Sequence, residues 1–458
     1  MAHFLELPDD ILFVILSSLS PEDLLSVQQT CRGMHVLGSA DHVWHALQID
    51  LPLDLQSADS GSGTSSHPAA LIRQSTIRAL RLDQNWHKPK ESRIKLTRIP
   101  HTDIVDQIQL VGKEHVLTLS RSGNLATFLT LWRTTVAISS VARIEIPNAS
   151  KFSASLEDGK LVVASLSSDH YGKGSLRLYD LALDDAEESC QFEEVFCQSL
   201  SEPGNAFFDV HVVGRTAISG IAALNGSICY KLLLVDVDSR KFDYFDMPSE
   251  GVQSVRFKLY RDFIFMGAIE GARTLTFLQY DVRAMGPCQA PIPIRKHEVC
   301  DLSRDSPLTY EYHISTEPTV HGTKYFPVAV QHTPDSANRR AITIYKIPLL
   351  PKRATETVQS GPTLWMTRDS TTDVFCLGET GFRAVWLERW WDADEFHFAK
   401  AALGPEGPSN DKRVVQPLWP AHLGLPFEPH ACHAIYFEEA TGRICFSLHT
   451  EEVYLMEF

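Results

Sequence analysis

No Cys-x-x-Cys pair occurs anywhere in this chain of 458 residues. Its nine cysteines, at 31, 190, 197, 229, 288, 300, 376, 432 and 445, are scattered and odd in number. That pattern describes no disulfide framework, so reduced thiols in an intracellular protein are expected. Uncharged apolar runs of the ~18–20 residues that span a bilayer are missing as well. The region 221–235 is broken by Asn225 and Lys231. The acidic start lacks the basic residues and small-residue cleavage site of a signal peptide. A cytoplasmic or nuclear location away from any membrane is therefore expected, and the sequons at Asn148 and Asn225 read as chance matches. Positive charge is scarce: 42 Lys and Arg face 57 Asp and Glu, for a net charge of -15. Such a chain has no basic footprint for nucleic acid and favours basic partners.

Signatures of catalysis are also absent. There is no nucleophile elbow, no Gly-rich phosphate loop ending in Lys, and no His-Glu-x-x-His helix. His430-Ala-Cys-His433 comes nearest to a metal cluster. On a strand over residues 431–437, however, His433 and Cys432 point to opposite faces, which makes a poor ligand set. His313 and His321 lie too far apart in sequence to fix a geometry. No catalytic residue, metal or cofactor is expected. The acidic group Asp184, Asp185, Glu187 and Glu188 reads as a solvated loop, with a dock for a basic segment as the alternative.

What is strongly patterned is the stretch 5–47. Pro8, after Leu7, suits the first position of a helix, where its missing N–H would have had no partner. Asp9 and Asp10 place negative charge at the positive end of the helix dipole. Six apolar residues follow, Ile11, Leu12, Phe13, Val14, Ile15 and Leu16. At about 3.6 residues per turn they wrap the whole circumference and leave no face for water. Ser20-Pro21-Glu22-Asp23 starts a second helix with a side-chain cap. Leu24, Leu25, Val27 and Cys31 form its apolar side, and a third short helix is expected over 41–47 with Trp44. A module of about 45 residues is near the lower limit for independent folding. Its apolar surface either waits for another chain or packs against its own, and the pattern alone leaves both open.

The segment resembles the F-box, the motif that docks substrate receptors onto the Skp adaptor of Skp–cullin–F-box ubiquitin ligases. The resemblance rests on Leu7-Pro8, Asp10-Ile11-Leu12, Ile15-Leu16, Leu19, Pro21, Asp23-Leu24-Leu25, Val27, Cys31-Arg32 and Trp44, in order and spacing. Gly33-Met34 departs from it, because the family has a basic or polar residue followed by a large aromatic there. Gly costs about 1 kcal/mol in a helix interior, so an early helix end is expected. The resemblance implies an adaptor-binding face of Leu7, Pro8, Ile11, Leu12, Ile15, Leu16, Leu24, Leu25, Val27 and Cys31. It also implies an Skp adaptor as partner and, through it, a cullin.

Residues 57–66 are small and polar and read as a flexible loop. Residues 68–86 read as a connecting helix. Lys88, Lys90, Arg93 and Lys95 beyond it read as a solvated helix end, the alternative being a nuclear-import or anionic-ligand site. From about residue 93, short apolar runs between turns replace the helical period. They form seven groups, over 104–132, 152–181, 207–247, 252–282, 309–347, 363–399 and 431–458, recurring roughly every 45–65 residues. A ring of small antiparallel sheets buries both sheet faces while protecting its edges, as a β-propeller does. The last group has three strands, and the spare segment 93–99 is expected to supply its missing outer strand. A β-sandwich pair is the competitor, but it explains neither the spacing nor the spare strand.

In size and rhythm the ring resembles the WD-repeat class, without its recurring Gly-His to Trp-Asp signature. The lone Trp391-Asp392 reads as accidental. Residues 437–448 and 452–458 look like the closing blade of F-box proteins with degenerate propellers. The expected fold is multidomain, α plus all-β. It comprises a helical F-box over 1–48, a loop and connecting helix over 49–92, and a seven-bladed propeller over 93–458. Candidate target-binding residues are Trp386, Arg389, Trp390 and Trp391, within a run that includes Phe382 and Arg383. Alternation would display Trp386 opposite Val385 and Leu387, and inter-blade packing is the competing reading. The expected function is a non-catalytic substrate receptor that holds a target protein. The alternatives are an F-box scaffold acting outside any ligase and a propeller enzyme.

Overall fold

The computed structural model describes residues 7–47, 49, 51–55, 68–88, 94–135, 137–168, 173–183, 190–202, 204–225, 227–247, 252–260, 263–270, 274–284, 292–301, 311–314, 325–332, 340–349, 357–367, 369–402, 415–420 and 423–458. Helix α1 covers Asp9–Ser17, with Pro8 one position earlier than expected, as its N-cap. Helix α2 covers Pro21–Gln28. At its start the Asp23 amide donates to Ser20 Oγ at 3.1 Å and the Ser20 hydroxyl donates to Asp23 Oδ2 at 2.9 Å. This satisfies an amide that the first helical turn leaves without a backbone acceptor.

α2 stops well before Gly33, and the chain starts again. The Cys31 thiol caps a separate helix, α3, over Arg32–Gly38, by accepting from the Met34 amide at 3.5 Å. Cys31 is therefore a cap and not part of the apolar side of α2. Met34, at the position where the family carries an aromatic, is buried. Helix α4, Asp41–Ala46, brings in Trp44, whose Nε1 donates to the Gly38 carbonyl at 2.9 Å. Gln28 Nε2 donates to the same carbonyl at 2.6 Å. Both donors crowd the Gly38 backbone, and a Cβ there would sit 2.7 Å from Gln28 Cγ.

Helix α5, Ala69–His87, is the joint of the molecule. Its first turns join Leu16, Leu24, Val43 and Trp44 in one apolar cluster through Ala69 and Ile72. Arg73 Nη2 donates to Gln28 Oε1 at 3.0 Å. Its last turns lie on the propeller. Trp86 stacks on Phe437 at 5.3 Å, and Asp83 Oδ1 receives Arg383 Nη2 at 2.9 Å.

The remaining chain forms seven four-stranded antiparallel sheets. In chain order these are blade 1 (104–145), blade 2 (149–199), blade 3 (205–246), blade 4 (252–301), blade 5 (311–365), blade 6 (370–417) and blade 7 (432–457, completed by Lys95–Ile99). Lys95–Ile99 is the outer strand of blade 7, pairing Lys95 with Glu457 and Ile99 with Val453. The ring is thus closed by the strand that precedes blade 1, as the spare segment implied. Gln107 and Gln109 use their side-chain amides like backbone. Each donates to and accepts from the inner strand of blade 2, at Phe152 and Ala154, over 2.7–2.9 Å. At the closing seam Ser447 Oγ donates to the Val105 carbonyl at 2.7 Å.

Two strand expectations need correction. The run at 363–367 belongs to Gln359–Trp365, the outer strand of blade 5, and not to blade 6. The sixth sheet instead ends on Gln416–Pro417, two residues long. The outer strands Ser139–Glu145, Glu193–Ser199 and Arg295–Asp301 also escape the apolar pattern. A blade's outer strand has one neighbour and one wet edge, so little demands apolar residues there.

Candidate functional site

The N-terminal helices divide their apolar residues between two environments. Leu12 and Leu16 of α1 and Leu24 of α2 are buried in this chain. The opposite side of α1 is open: Ile11 is 45% exposed and Val14 68% exposed. Val36 of α3, at 63%, is open as well. Leu7, Ile15, Leu25 and Val27 are half-buried, while Pro8 and Cys31 are exposed. Of the ten residues expected to meet an adaptor, Leu12, Leu16 and Leu24 thus build the module's own core. The other seven keep accessible surface. α1 does not present apolar surface on all sides, because α3 and α4 pack against it and bury Leu12 and Leu16. Val14 and Val36 were absent from the expected face, although Val14 is the most exposed apolar residue of α1. A helical wheel anchored on Leu12 and Leu16 finds it, since Val14 lies about 200° from Leu12.

Residues 4–50 match the family model described as F-box-like. This chain carries an F-box-like module. In comparison with solved structures it is similar to the WD40 domain of SCAP from fission yeast, with 10% identity over 80% of this chain and 99% of that one and a TM-score of 0.44. It is also similar to the β-propeller domain of the trilobed protease from Pyrococcus furiosus, with 7% identity, coverage of 79% and 94%, and a TM-score of 0.46. The acylaminoacyl peptidase of Pyrococcus horikoshii gives 7% identity, coverage of 75% and 49%, and a TM-score of 0.44. Likenesses this distant say nothing of activity. Among curated proteins no match was found.

On the ring, the expected target-binding run comes apart. Trp386 is wholly buried between blades 5 and 6, with Ile342, Ile344 and Phe375. Val385 and Leu387 are buried on the other side, against blade 7. The strand Arg383–Trp390 lies inside its sheet with a blade on each face, so alternation there separates two cores and displays nothing. Arg383 is also buried. What remains at the surface is Trp391, 53% exposed, with half-buried Arg389 and Trp390. The Arg389 guanidinium sits 4.0 Å over the Trp391 ring and bonds Asp394 at 2.9 Å.

The histidines expected to be poor ligands are used otherwise. His433 stacks on His449 at 4.2 Å, and its Nε2 lies 2.6 Å from the Val105 carbonyl. Cys432 is buried, and burial pushes its thiol well above the usual range. Among the described residues no three His, Cys, Asp or Glu side chains form a metal-sized group. None of the described helices is long and apolar enough to cross a membrane. His321, the 184–188 acidic group, Lys90 and Arg93 lie outside the described residues.

Sequence reasoning missed a polar nucleus where α5 meets blades 6 and 7. Arg383 donates to Asp83 Oδ1 and, at 3.2 Å, to the Glu439 carbonyl. The Glu439 carboxyl accepts from the Thr380 amide at 2.7 Å and its hydroxyl at 2.8 Å, while the Glu439 amide donates to Glu379 Oε2 at 3.0 Å. Burial, reinforced by the neighbouring Glu439, drives Glu379 well above the usual carboxylate range. Burial raises Glu439 too, against the pull of Arg383. Burial also works to raise Asp83, but its bond to His87 and the charge of Arg383 outweigh it and hold Asp83 low. Asp83 and Arg383 are 300 residues apart, and no local pattern pairs them.

Proposed function

We propose that this chain is a substrate-recognition subunit of a Skp–cullin–F-box ubiquitin ligase, working in the cytoplasm or nucleus. The observation that carries the proposal is the exposure of Ile11 and Val14 on α1, and of Val36 on α3, in an F-box-like module whose other apolar residues are buried in its own chain. Each such group moved out of water is worth ~1.5–3 kcal/mol when fully covered, so these open residues favour an Skp-type adaptor docked along α1 and α3. The ring would hold a target protein, and α5 would fix the ring relative to the adaptor. The chain does no chemistry in this reading. It raises the effective concentration of target lysines near a charged conjugating enzyme.

The experiment is capture of the full chain from cells, with probing for both the adaptor and a cullin. Recovery of both supports the ligase reading. Recovery of the adaptor without any cullin assigns the chain to a scaffold outside the ligase. Failure to recover the adaptor rejects both.

A further inference from the structure

The foot of α5 seals in a positive charge that nothing neutralises. Lys400, on the third strand of blade 6 (Glu395–Ala402), is 1% exposed. Its Nζ lies 5.1 Å from the centre of the Trp86 ring and 4.9 Å from that of Phe458. Among the described residues it has no hydrogen-bond partner, and no carboxylate pairs with it. Taking an ammonium out of water costs more than two ring faces return, and burial brings Lys400 from 10.5 down to about 8.

The charged groups on the elements packed around Lys400 are engaged elsewhere. Asp83 of α5 holds His87 and Arg383, and Glu379 receives the Glu439 amide. Arg443 faces Glu438 at 3.7 Å, and Lys95 faces Glu457 at 3.5 Å. Burial is the one cause of the shift at Lys400, so none of these charges bears on it. Trp86 Nε1, Arg383 Nε and Glu439 Oε1 are buried at the same junction, also without a hydrogen-bond partner among the described residues. Each gives up water for nothing when α5 sits on the ring.

At its other end α5 is built into the helical module, through Ala69 and Ile72 and through Arg73 on Gln28. Its foot is held by the Trp86 stack on Phe437, by the Asp83–Arg383 pair, and by Leu82 over the backbone of Gly442. We propose that this junction is a hinge: Lys400 and the three orphan atoms destabilise the closed seat, so the last turns of α5 lift from the ring and the helical module changes its angle to it. Opening gives all four groups water, and α5 leaves with the module in which its first turns are anchored. The inference rests on this joint alone and is independent of the ligase reading. Between about pH 8 and 10.5 the open joint binds a proton at Lys400 more tightly than the closed one. Opening is therefore favoured as pH falls through that window, and Lys400 adds nothing further below it.

The test is amide exchange of the full chain at pH 7, compared with Lys400→Met, which keeps an unbranched side chain and removes its charge. Exchange over residues 79–87 is expected to slow by about tenfold or more in the variant, because opening no longer relieves a buried ammonium. Exchange in the strand Lys160–Ser168 of blade 2 should stay as it was. Equal slowing there overturns the hinge, by showing that α5 opens only when the ring unfolds. Chemical denaturation should find Lys400→Met more stable than the unaltered chain at pH 7, with the gap narrowed at pH 10. A gap as wide at pH 10 also overturns the proposal, since the gain would then come from the apolar side chain. Unchanged or faster exchange over 79–87, or failure of Lys400→Met to fold, overturns it as well: the ammonium would then be clamping α5 to the ring.

Discussion

At Ile11, Leu12 and Val14 the chain separates an open apolar face from a core within four positions. Leu12 is 1% exposed, so Leu12→Asp places a carboxylate in the buried interior of the helical module. Burying an unpaired charge is among the few single changes that cost more than about 4 kcal/mol. Leu12→Asp is therefore expected to melt the helical module, and it cannot separate docking from folding. Ile11→Asp and Val14→Asp act on open surface, where substitutions stay within about 0.5 kcal/mol. Thermal unfolding should show the first variant destabilised and the other two unchanged. Equal destabilisation of all three would mean that α1 is covered on both sides.

The buried carboxyls of Glu379 and Glu439 make a pH prediction of definite sign. Both are raised in the folded chain, so the folded state holds protons that the unfolded state has already released. Stability then declines as pH rises from the ordinary glutamate value, near 4.5, through the raised range, and is flat beyond it. Asp83 works the other way and weakens the fold only as pH drops below 3.8. Glu439→Gln keeps an acceptor for Thr380 and removes the titration, so chemical denaturation at a series of pH values should show the decline flattened. An unchanged slope would place the pH dependence elsewhere.

Among the elements, α5 bears on both halves. Trp86 is buried between Phe437 and Phe458, with the Arg383 guanidinium 5.7 Å from its ring. Trp86→Ala is expected to cost about 3–5 kcal/mol and to raise amide exchange along the C-terminal half of α5. Loss of stability without faster exchange in α5 would show that the helix is held by other contacts. The elements also show where reading the chain succeeds. α1, α2 and α4 are legible because first-turn acids and nearby apolar residues, with the Ser20 cap on α2, are local signals. The restart at Cys31 is not, since a thiol cap leaves little trace in sequence. Inner and middle strands announce themselves by apolar runs between turns. The outer strands at 139–145, 193–199 and 295–301 do not, being polar edges. Trp386 misleads for the opposite cause: in a strand covered on both faces, alternation carries no information about exposure.

For the whole molecule, the ring is held shut by Lys95–Ile99. Ile99 is fully buried at the seam between blades 7 and 1, with Val105, Val453 and Leu455. Ile99→Ala is expected to cost about 2–5 kcal/mol. Because the seam joins the two ends of the propeller, exchange should accelerate first in Lys95–Ile99 and Val453–Glu457, ahead of blades 2 to 5. Uniform acceleration would mean that the ring opens without a preferred seam.

In the proposed assembly an adaptor would dock on the open face of α1, on a module that reaches the closed ring through α5. The most direct test is the affinity of the purified full chain for a purified Skp-type adaptor, compared between the unaltered chain and Val14→Asp with Ile11→Asp. The expected result is binding by the unaltered chain and its loss in the folded double variant. Undiminished adaptor binding by that variant would contradict the assignment of this face.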